Sequence, residues 1–384
     1  MSSSTPVSPV RIITCQGSLQ LLTALAAVAY HGEQCGNAAG RDYLVIYDVA
    51  PTFSTTIERL ARALQPWQQV VSVSSAQMAD LAAQIGEAGS QQAGLNALRA
   101  LVGVDSADEI YLVRNWQASN QIMLSAYQSA QKIAYGDGIG YYFGPQRFLP
   151  ARPRPRPLRD LVNQITGRAS APPPSLASIP FDIGYFLLPD AFQELPPMPV
   201  VVPERRYIEA VIERAAAVLE PDLGLRLPTD RPITIFLPGN YAQAGWTSRQ
   251  HEVQAYADVL QHHADRRSLV LVKPHPRSSA RDIQALERML RASFAAVQLI
   301  SAPVSHLPVE VLIRASVQQG ATITAVGFTT AVIPLAYLFG IPCIVGFGAA
   351  ILARYFAENQ MHINENEQLL QKIINQIEVA ATSS

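Results

Sequence analysis

The sequence has few cysteines and few charges. Of its 384 residues only three are cysteines, Cys15, Cys35 and Cys343, and their positions match no metal-binding spacing. Such an odd, sparse set predicts reduced thiols in a cytoplasmic protein rather than a disulfide framework, with each cysteine a small core residue. Charged residues make up 15% of the chain and the formal net charge is −1. This overall charge does not predict nucleic-acid binding.

Residues 19–30 form an apolar stretch. This stretch is shorter than the roughly 20 residues that span a bilayer and is expected to be a buried helix. Residues 1–9 are polar and lack a charged region before an apolar one, so no secretory signal is predicted. We therefore expect a cytoplasmic location, with peripheral contact with the inner membrane left open.

Two common enzyme motifs are absent. The chain contains no Gly-x-x-x-x-Gly-Lys-Ser/Thr phosphate loop and no Gly-x-Ser-x-Gly nucleophile elbow. A phosphate-loop NTPase and a serine hydrolase of the α/β-hydrolase type are therefore not predicted. The histidines at positions 251, 262 and 263 lack the spacing of a helical metal pair, so no metal site is predicted either.

Short apolar runs alternate with helical patterns along the chain. Continuous apolar runs bounded by turns are typical of buried parallel strands, and this alternation predicts an α/β fold. The length favours two domains, which we place at residues 1–190 and 205–384, joined by a proline-rich linker at 191–204. Each domain is predicted to be Rossmann-like.

An irregular segment at residues 150–175 interrupts the first domain. It opens with alternating arginine and proline at 151–157, which favours an extended, solvated chain. A surface loop is the favoured interpretation, since loops concentrate such composition. Contact with anionic lipid or with an acidic acceptor is the alternative.

The loop Lys273-Pro274-His275-Pro276-Arg277 carries the most information. It follows the apolar run 268–272 and precedes a helical pattern at 280–290. Open α/β sheets bind ligands at the carboxyl ends of their strands. A loop stiffened by two prolines that holds Lys, His and Arg at this edge indicates a phosphate-bearing substrate. A simple turn with exposed basic residues is the alternative.

Two further loops have comparable positions. Thr329 and Thr330 fall between a strand at 323–326 and a helix that starts near residue 331, where free backbone N–H groups bind phosphate. Asp137 lies in the glycine-rich turn at 136–140, after a strand that ends at Tyr135, where a carboxylate can act as a general base. A helix cap and an ordinary Asp-Gly turn are the structural alternatives.

In order and spacing, these motifs resemble those of bacterial sialyltransferases and polysialyltransferases. That family has an acidic-acidic-Gly motif, a His-Pro motif and a Ser-Ser/Thr pair, whose counterparts are residues 136–138, His275-Pro276 and Thr329-Thr330. Two weaker similarities are residues 14–20 after the first strand and residues 307–310. The resemblance spans about residues 11 to 347 and implies a GT-B fold, two Rossmann-like domains facing a cleft.

The resemblance also implies residue roles. A sialic-acid-type sugar would pass from a CMP-activated donor to a glycan or glycolipid acceptor, with no cofactor and no metal. Asp137 would be the general base, His275 would face the donor phosphate, Thr329 and Thr330 would hold that phosphate, and Glu310 would accept from the ribose. The other predicted substrate-binding residues are Lys273, Pro276, Gly138, Gly17, Ser18, Gln20, Gly239 and Asn240.

One position departs from the family pattern. Gly136 stands where the family has its first acidic residue, so Asp137 is the remaining carboxylate of that motif. This departure keeps two alternatives open. One is a glycerophosphotransferase that uses CDP-glycerol, since such enzymes share a Lys-x-His-Pro stretch and a late hydroxyl pair. The other is a catalytically inactive protein that binds nucleotide sugars.

Overall fold

The computed structural model contains two compact units, unit 1 within residues 8–218 and unit 2 within residues 219–382. It describes residues 8–36, 39–87, 89–142, 179–189, 196–223, 227–275 and 278–382. The predictions for the segment 150–175, for Pro276 and Arg277, and for the first five linker residues fall outside these ranges.

Unit 1 contains a seven-stranded parallel sheet. Its strands are β1 (Val10–Cys15), β2 (Arg41–Tyr47), β3 (Gln69–Val73), β4 (Glu109–Leu112), β5 (Gln131–Gly136), β6 (Ile183–Phe186) and β7 (Val200–Val201), in the spatial order β3-β2-β1-β4-β5-β6-β7. The strand order reverses between β1 and β4. Ligands of open α/β sheets bind at such a switch point, outside the carboxyl ends of the strands.

The connections of unit 1 are mostly helical. The helices are α1 (Ser18–Cys35), α2 (Pro51–Leu64), α3 (Ser75–Gly86), α4 (Gln91–Val102), α5 (Ala118–Ala126), α6 (Ile139–Tyr142) and α7 (Arg205–Leu223). The long apolar stretch forms the first half of α1, where all residues from Leu21 to Val28 are buried. A helix that is apolar around most of its circumference lies in a core, as predicted for this stretch.

Unit 2 contains a five-stranded parallel sheet. Its strands are β8 (Ile233–Leu237), β9 (Leu269–Val272), β10 (Ala296–Leu299), β11 (Ile323–Gly327) and β12 (Cys343–Val345), in the order β10-β9-β8-β11-β12. Its helices are α8 (Arg249–His263), α9 (Ala280–Ser293), α10 (Val309–Gln318), α11 (Val332–Phe339), α12 (Ala349–Tyr355) and α13 (Gln360–Thr382). Here the order reverses between β8 and β11, which places a second switch point at their carboxyl ends.

An aromatic cluster packs beneath the carboxyl edge of unit 2. Phe328 and Phe347 have ring centroids 4.1 Å apart, and the ring of Tyr256 lies within 5.5 Å of both. Aromatic pairs of this kind add stability beyond the area that they bury. The packed rings therefore support the loops after β8 and β11.

The two parallel sheets confirm the predicted α/β fold class with two Rossmann-like units. The division between the units falls within α7, and Val200–Val201 of the predicted linker pairs with β6, so this division differs from the predicted domain boundaries. The cysteine prediction was wrong for Cys35, which is exposed, whereas Cys15 and Cys343 are buried. Among the described residues, none of the helices is both long and apolar enough to cross a membrane.

Candidate functional site

The turn after β1 lies at the switch point of unit 1. Gly17 is in extended conformation, and Ser18 is buried at the start of α1. The backbone N–H of Gln16 donates to Oε1 of Gln20 at 2.7 Å. The predicted residues Gly17, Ser18 and Gln20 therefore share one turn, and Gln20 closes it.

A polar network that includes Asp48 holds the Gln16 side chain. Asp48 follows β2 with a φ of 57°, a left-handed conformation that is uncommon for residues other than glycine. Its Oδ2 accepts hydrogen bonds from Gln16 Nε2 at 2.9 Å and from Ser119 Oγ at 2.5 Å. Gln16 Nε2 also donates to Gln117 Oε1 at 3.1 Å. With its amide nitrogen engaged, Gln16 has its carbonyl oxygen fixed in orientation at the ligand edge.

Asp137 follows β5 at the same edge. Its Oδ1 accepts a hydrogen bond from the backbone N–H of Ile139 at 3.0 Å, at the start of α6. Burial raises the pKa of Asp137, while the Ile139 N–H and the positive charge of Arg114 act in the opposite direction. A carboxylate with a raised pKa is a better base, as the predicted role requires.

Gly136 explains the missing acid in physical terms. Its φ is 135°, which side-chain-bearing residues rarely adopt, and an added Cβ would lie 3.7 Å from Val113 Cγ1, an ordinary contact. The space beside Gly136 is thus sufficient, but its backbone conformation favours glycine. Gly138, also predicted as a site residue, is buried with a φ of 86°. This backbone gives the turn before α6 its sharp bend.

We expect Gly136→Ala to destabilise the protein by about 1–3 kcal/mol, because alanine would be strained at this φ. Thermal melting monitored by circular dichroism measures the effect. Gly17→Ala is the matched control, since Gly17 has a φ of −176° and an added Cβ would meet nothing within 4 Å. Equal melting temperatures for the two variants would show that Gly136 is not required by its backbone.

Arg114 and Trp116 also follow a strand of unit 1, and the sequence analysis did not select them. They come directly after β4, which flanks the switch point. The Arg114 guanidinium carbon is 6.0 Å from the Trp116 ring centroid, and Trp116 is 37% exposed. The sequence signal for both residues is their position just after the largely apolar run at residues 109–113.

The loop after β8 lies at the switch point of unit 2. It contains the predicted residues Gly239 and Asn240, and Gly239 is buried. The carboxylate of Glu252 on α8 accepts hydrogen bonds from the backbone N–H groups of Tyr241 at 2.7 Å and Ala242 at 3.1 Å. Glu252 therefore fixes the end of this loop from below, a role that the sequence analysis missed.

An open pocket of about 460 Å³, including space open to solvent, lies beside this loop. Pro238, Gly239 and Asn240 line one side, and Val272 and Pro274 line another. Helices α8 and α9 contribute much of the remaining lining, including Glu252, Tyr256 and Asp282. The pocket lies at the carboxyl ends of β8 and β9, the edge at which open α/β sheets bind ligands.

Lys273 and Glu310 interact electrostatically on the same edge. Lys273 follows β9, and burial lowers its pKa while the charge of Glu310 acts against this decrease. Glu310 lies in the first turn of α10 and is 1% exposed. Burial, and the charge of Lys273, lower the pKa of His306, a half-buried residue that the sequence analysis did not select. His275 is half-buried after β9, and its carbonyl accepts from the Ser278 N–H at 2.8 Å.

Thr329 and Thr330 follow β11 and precede α11, as predicted. Thr329 Oγ1 accepts a hydrogen bond from the Ala331 N–H at 3.4 Å, and neither threonine is the N-cap residue, which is Ala331. The Tyr241 hydroxyl donates to the carbonyl of Phe328 at 3.2 Å. This bond joins the loop after β8 to the loop with the two threonines, on the two sides of the switch point.

Each unit thus carries a polar edge at its switch point, with a candidate base in unit 1 and candidate phosphate ligands in unit 2. Two α/β units, each with a parallel sheet, are the architecture of GT-B glycosyltransferases. The profile of the Alpha-2,8-polysialyltransferase (POLYST) family matches residues 11–346. The chain belongs to this family, which identifies it as a glycosyltransferase.

Solved structures share the fold at low sequence identity. A putative UDP-N-acetylglucosamine 2-epimerase from Listeria monocytogenes is 11% identical, with 96% of this chain and 91% of that chain covered and a TM-score of 0.51. The MnaA–UDP complex from S. aureus is 8% identical, with the same coverage and TM-score. These likenesses show the fold alone. A search among curated proteins finds no match.

Proposed function

We propose that the protein transfers a sialic-acid-type sugar from a CMP-activated donor to a hydroxyl of a glycan or glycolipid. The observation that carries the proposal is the position of Asp137, a carboxylate with raised pKa at the carboxyl end of β5, next to the switch-point strand β4, in a chain of the polysialyltransferase family. A nucleotide complex of similar fold, the S. aureus protein with UDP, supports a nucleotide donor.

In the proposed reaction the acceptor oxygen attacks the anomeric carbon of the donor sugar. The bond from that carbon to the phosphate oxygen breaks, and CMP leaves with the bonding electrons. The acceptor proton passes to Asp137, which the Ile139 N–H holds in place. A general base with a pKa closer to neutrality is more effective than an ordinary aspartate.

The charge that develops on the CMP phosphate would be met by unit 2. His275 would donate to the leaving phosphate, or protonate it, and Lys273 would add positive charge. Thr329, Thr330 and the N–H groups before α11 would bind its oxygens. In the proposed reaction these groups neutralise the phosphate charge without a metal ion. We therefore expect turnover to be unchanged when EDTA is added.

Glu310, Gly239 and Asn240 would bind the nucleoside. The Glu310 carboxylate lies at the start of α10, on the edge that holds Lys273, and a carboxylate is suited to accept from ribose hydroxyls. The loop of Gly239 and Asn240 lines the open pocket beside β9. Gly17, Ser18, Gln20 and Gly138 would border the sugar acceptor in unit 1.

Calorimetric titration with CMP, CDP, UMP and GDP tests the donor assignment. We expect CMP to bind most tightly and its affinity to decrease in His275→Ala. Equal affinity for all four nucleotides would contradict a cytidine donor. If CMP binds, incubation with CMP-sialic acid and with CDP-glycerol separates the sugar transferase from the glycerophosphotransferase. Binding without turnover of either would support the inactive alternative, which the glycine at position 136 keeps open.

We expect the double variant Thr329→Val and Thr330→Val to bind CMP roughly ten- to hundredfold more weakly, because hydroxyl donors to a charged phosphate would be lost. Valine keeps the shape of threonine, so the change tests the hydroxyl groups. Thr322→Val is the matched control, since Thr322 is exposed and precedes β11, at the opposite edge of the sheet. Unchanged CMP affinity in the double variant would remove both threonines from the phosphate site.

A further inference from the structure

Arg114 has a buried guanidinium nitrogen whose hydrogen-bonding capacity is not used within the described part of the chain. It lies after β4, at the switch point of unit 1, and its residue as a whole is half-buried. Its Nε is fully buried and has no hydrogen-bond partner among the described residues. A buried donor without a partner costs free energy, so it is rare unless a ligand supplies the acceptor.

Among the described residues, no carboxylate forms an ion pair with Arg114. Burial raises the pKa of Tyr47, Tyr135 and Tyr141, and the charge of Arg114 opposes each rise. The same charge opposes the effect of burial on the pKa of Asp137. Arg114 thus lies close enough to act electrostatically on the candidate base, yet no ion pair joins the two side chains in the described structure.

Trp116 adds an apolar surface beside this cation. It is one of the few large hydrophobic side chains that are exposed, and its ring packs edge-on against Tyr141 with centroids 5.0 Å apart. An added Cβ at Gly140 would lie 3.7 Å from the outer edge of the indole, so α6 supports the ring closely. A supported, exposed aromatic ring is suited to pack against the apolar face of a sugar.

We propose that Arg114 is a positioning residue that binds the carboxylate of the acceptor's terminal sugar, the sugar whose hydroxyl Asp137 deprotonates, while Trp116 packs against its ring. The inference rests on the proposed function and adds the residue that recognises its acceptor. A guanidinium binds a carboxylate through two parallel hydrogen bonds, which fixes orientation as well as position. A fixed orientation of the sugar presents one of its several hydroxyl groups to Asp137.

Binding at Arg114 has a second consequence for Asp137. A bound carboxylate neutralises the guanidinium, so the positive charge that opposes the rise in the Asp137 pKa is removed. The pKa of Asp137 is then higher with an acidic acceptor than with a neutral one. The charge of Arg114 also acts on Tyr47, Tyr135 and Tyr141. Burial raises the pKa of all three tyrosines, so they stay neutral over the pH range in which a carboxyl group titrates.

The test compares an α2,8-linked disialic acid glycoside with the same compound whose terminal carboxylate is a carboxamide. We expect the carboxamide to have a KM roughly ten- to hundredfold higher with the wild-type protein. In Arg114→Gln the KM for the acid should rise by a similar factor and that for the carboxamide should change little. Arg41→Gln is the matched control, because Arg41 is exposed at the start of β2, on the opposite edge of the sheet.

The pH dependence gives a readout that a merely structural role would not move. In the wild type the acid limb of kcat should lie at higher pH with the acid than with the carboxamide, and this difference should vanish in Arg114→Gln. Arg114→Lys, which keeps the charge but not the paired bonds, should recover part of the binding. The inference would be overturned if Arg114→Gln left the KM of both acceptors unchanged and altered their kcat equally.

Binding without donor separates this inference from the proposed function. Binding of the two glycosides can be measured without turnover by titrating each into the protein and monitoring it by saturation-transfer NMR. Tighter binding of the acid than of the carboxamide in the wild type, lost in Arg114→Gln, supports the acidic-sugar site. Equal binding of both, or binding of neither, overturns it. The nucleotide titration decides the donor assignment independently, since Arg114 lies in unit 1 and the proposed donor residues lie in unit 2.

Discussion

Asp137→Asn is expected to abolish most transfer while the protein melts at the same temperature or higher. Loss of a positioned general base lowers turnover by about 10²–10⁴-fold. Asparagine retains an oxygen that can accept the Ile139 N–H, so the turn before α6 is preserved. Initial rates with CMP-sialic acid, together with a thermal melt and a CMP titration of the same sample, measure the three effects.

The expected stability follows from the sign of the pKa shift. Burial raises the pKa of Asp137 in the folded state above its unfolded value. Stability from the protonated carboxyl is therefore fully present below the unfolded pKa and is lost as the pH rises through the folded pKa. The ionised side chain is destabilising, so its replacement by a neutral amide relieves that cost. Active sites often carry such a penalty.

Asp182→Asn is the control for a carboxylate that is not at the ligand edge. Asp182 is exposed and accepts from the Lys132 N–H at 2.7 Å, at the amino end of β6. It should have normal turnover and a normal or slightly lower melting temperature. If Asp137→Asn loses transfer only because it also loses CMP binding or melts early, Asp137 is structural and the base must be sought elsewhere.

Much of the fold could be predicted because local patterns and tertiary structure agree. The apolar runs at 43–47 and 233–237 both form strands that are flanked on two sides in their parallel sheets. Strand ends then identify ligand loops, since all strands of each sheet run parallel and end at one edge. Lys273, His275, Thr329 and Asp137 were all selected by this argument, and all four follow strands of their sheets.

Other polar residues of the candidate site act through contacts that are distant in sequence. Gln16, Asp48 and Ser119 form one network across 103 positions only because β1, β2 and α5 meet at an edge, and no local pattern encodes that meeting. Arg114 resembles any polar residue after a strand until its burial is known. The reason for glycine at position 136 is a backbone angle, which composition does not reveal.

The short or polar elements were also harder to predict. The strand Val200–Val201 has two residues and lies among prolines, which read locally as a linker, yet it pairs with β6. Helix α10 starts directly after Pro308, and the sequence indicates its first-turn residue Glu310 through the family resemblance rather than through a helical pattern. In both cases the local sequence signal is weak, and tertiary contacts determine the structure of the segment.

His275→Ala is expected to have the second large effect, a decrease in turnover of about 10²–10³-fold. The proposed role of His275 is to donate to the CMP phosphate as negative charge develops, and removal of one such donor typically costs this factor. Rates at saturating CMP-sialic acid, compared with CMP affinity by calorimetry, distinguish loss of catalysis from loss of binding. We expect both to decrease, with the larger decrease in turnover.

Two other histidines make this experiment specific. His262 is exposed at the end of α8, and His262→Ala should have wild-type activity. His306 is half-buried on the same edge as His275, and the Lys273 charge lowers its pKa together with burial, so it is neutral at physiological pH and can also donate a hydrogen bond. If His306→Ala lowers turnover more than His275→Ala does, the phosphate donor is His306, and the His-Pro motif serves to shape the loop.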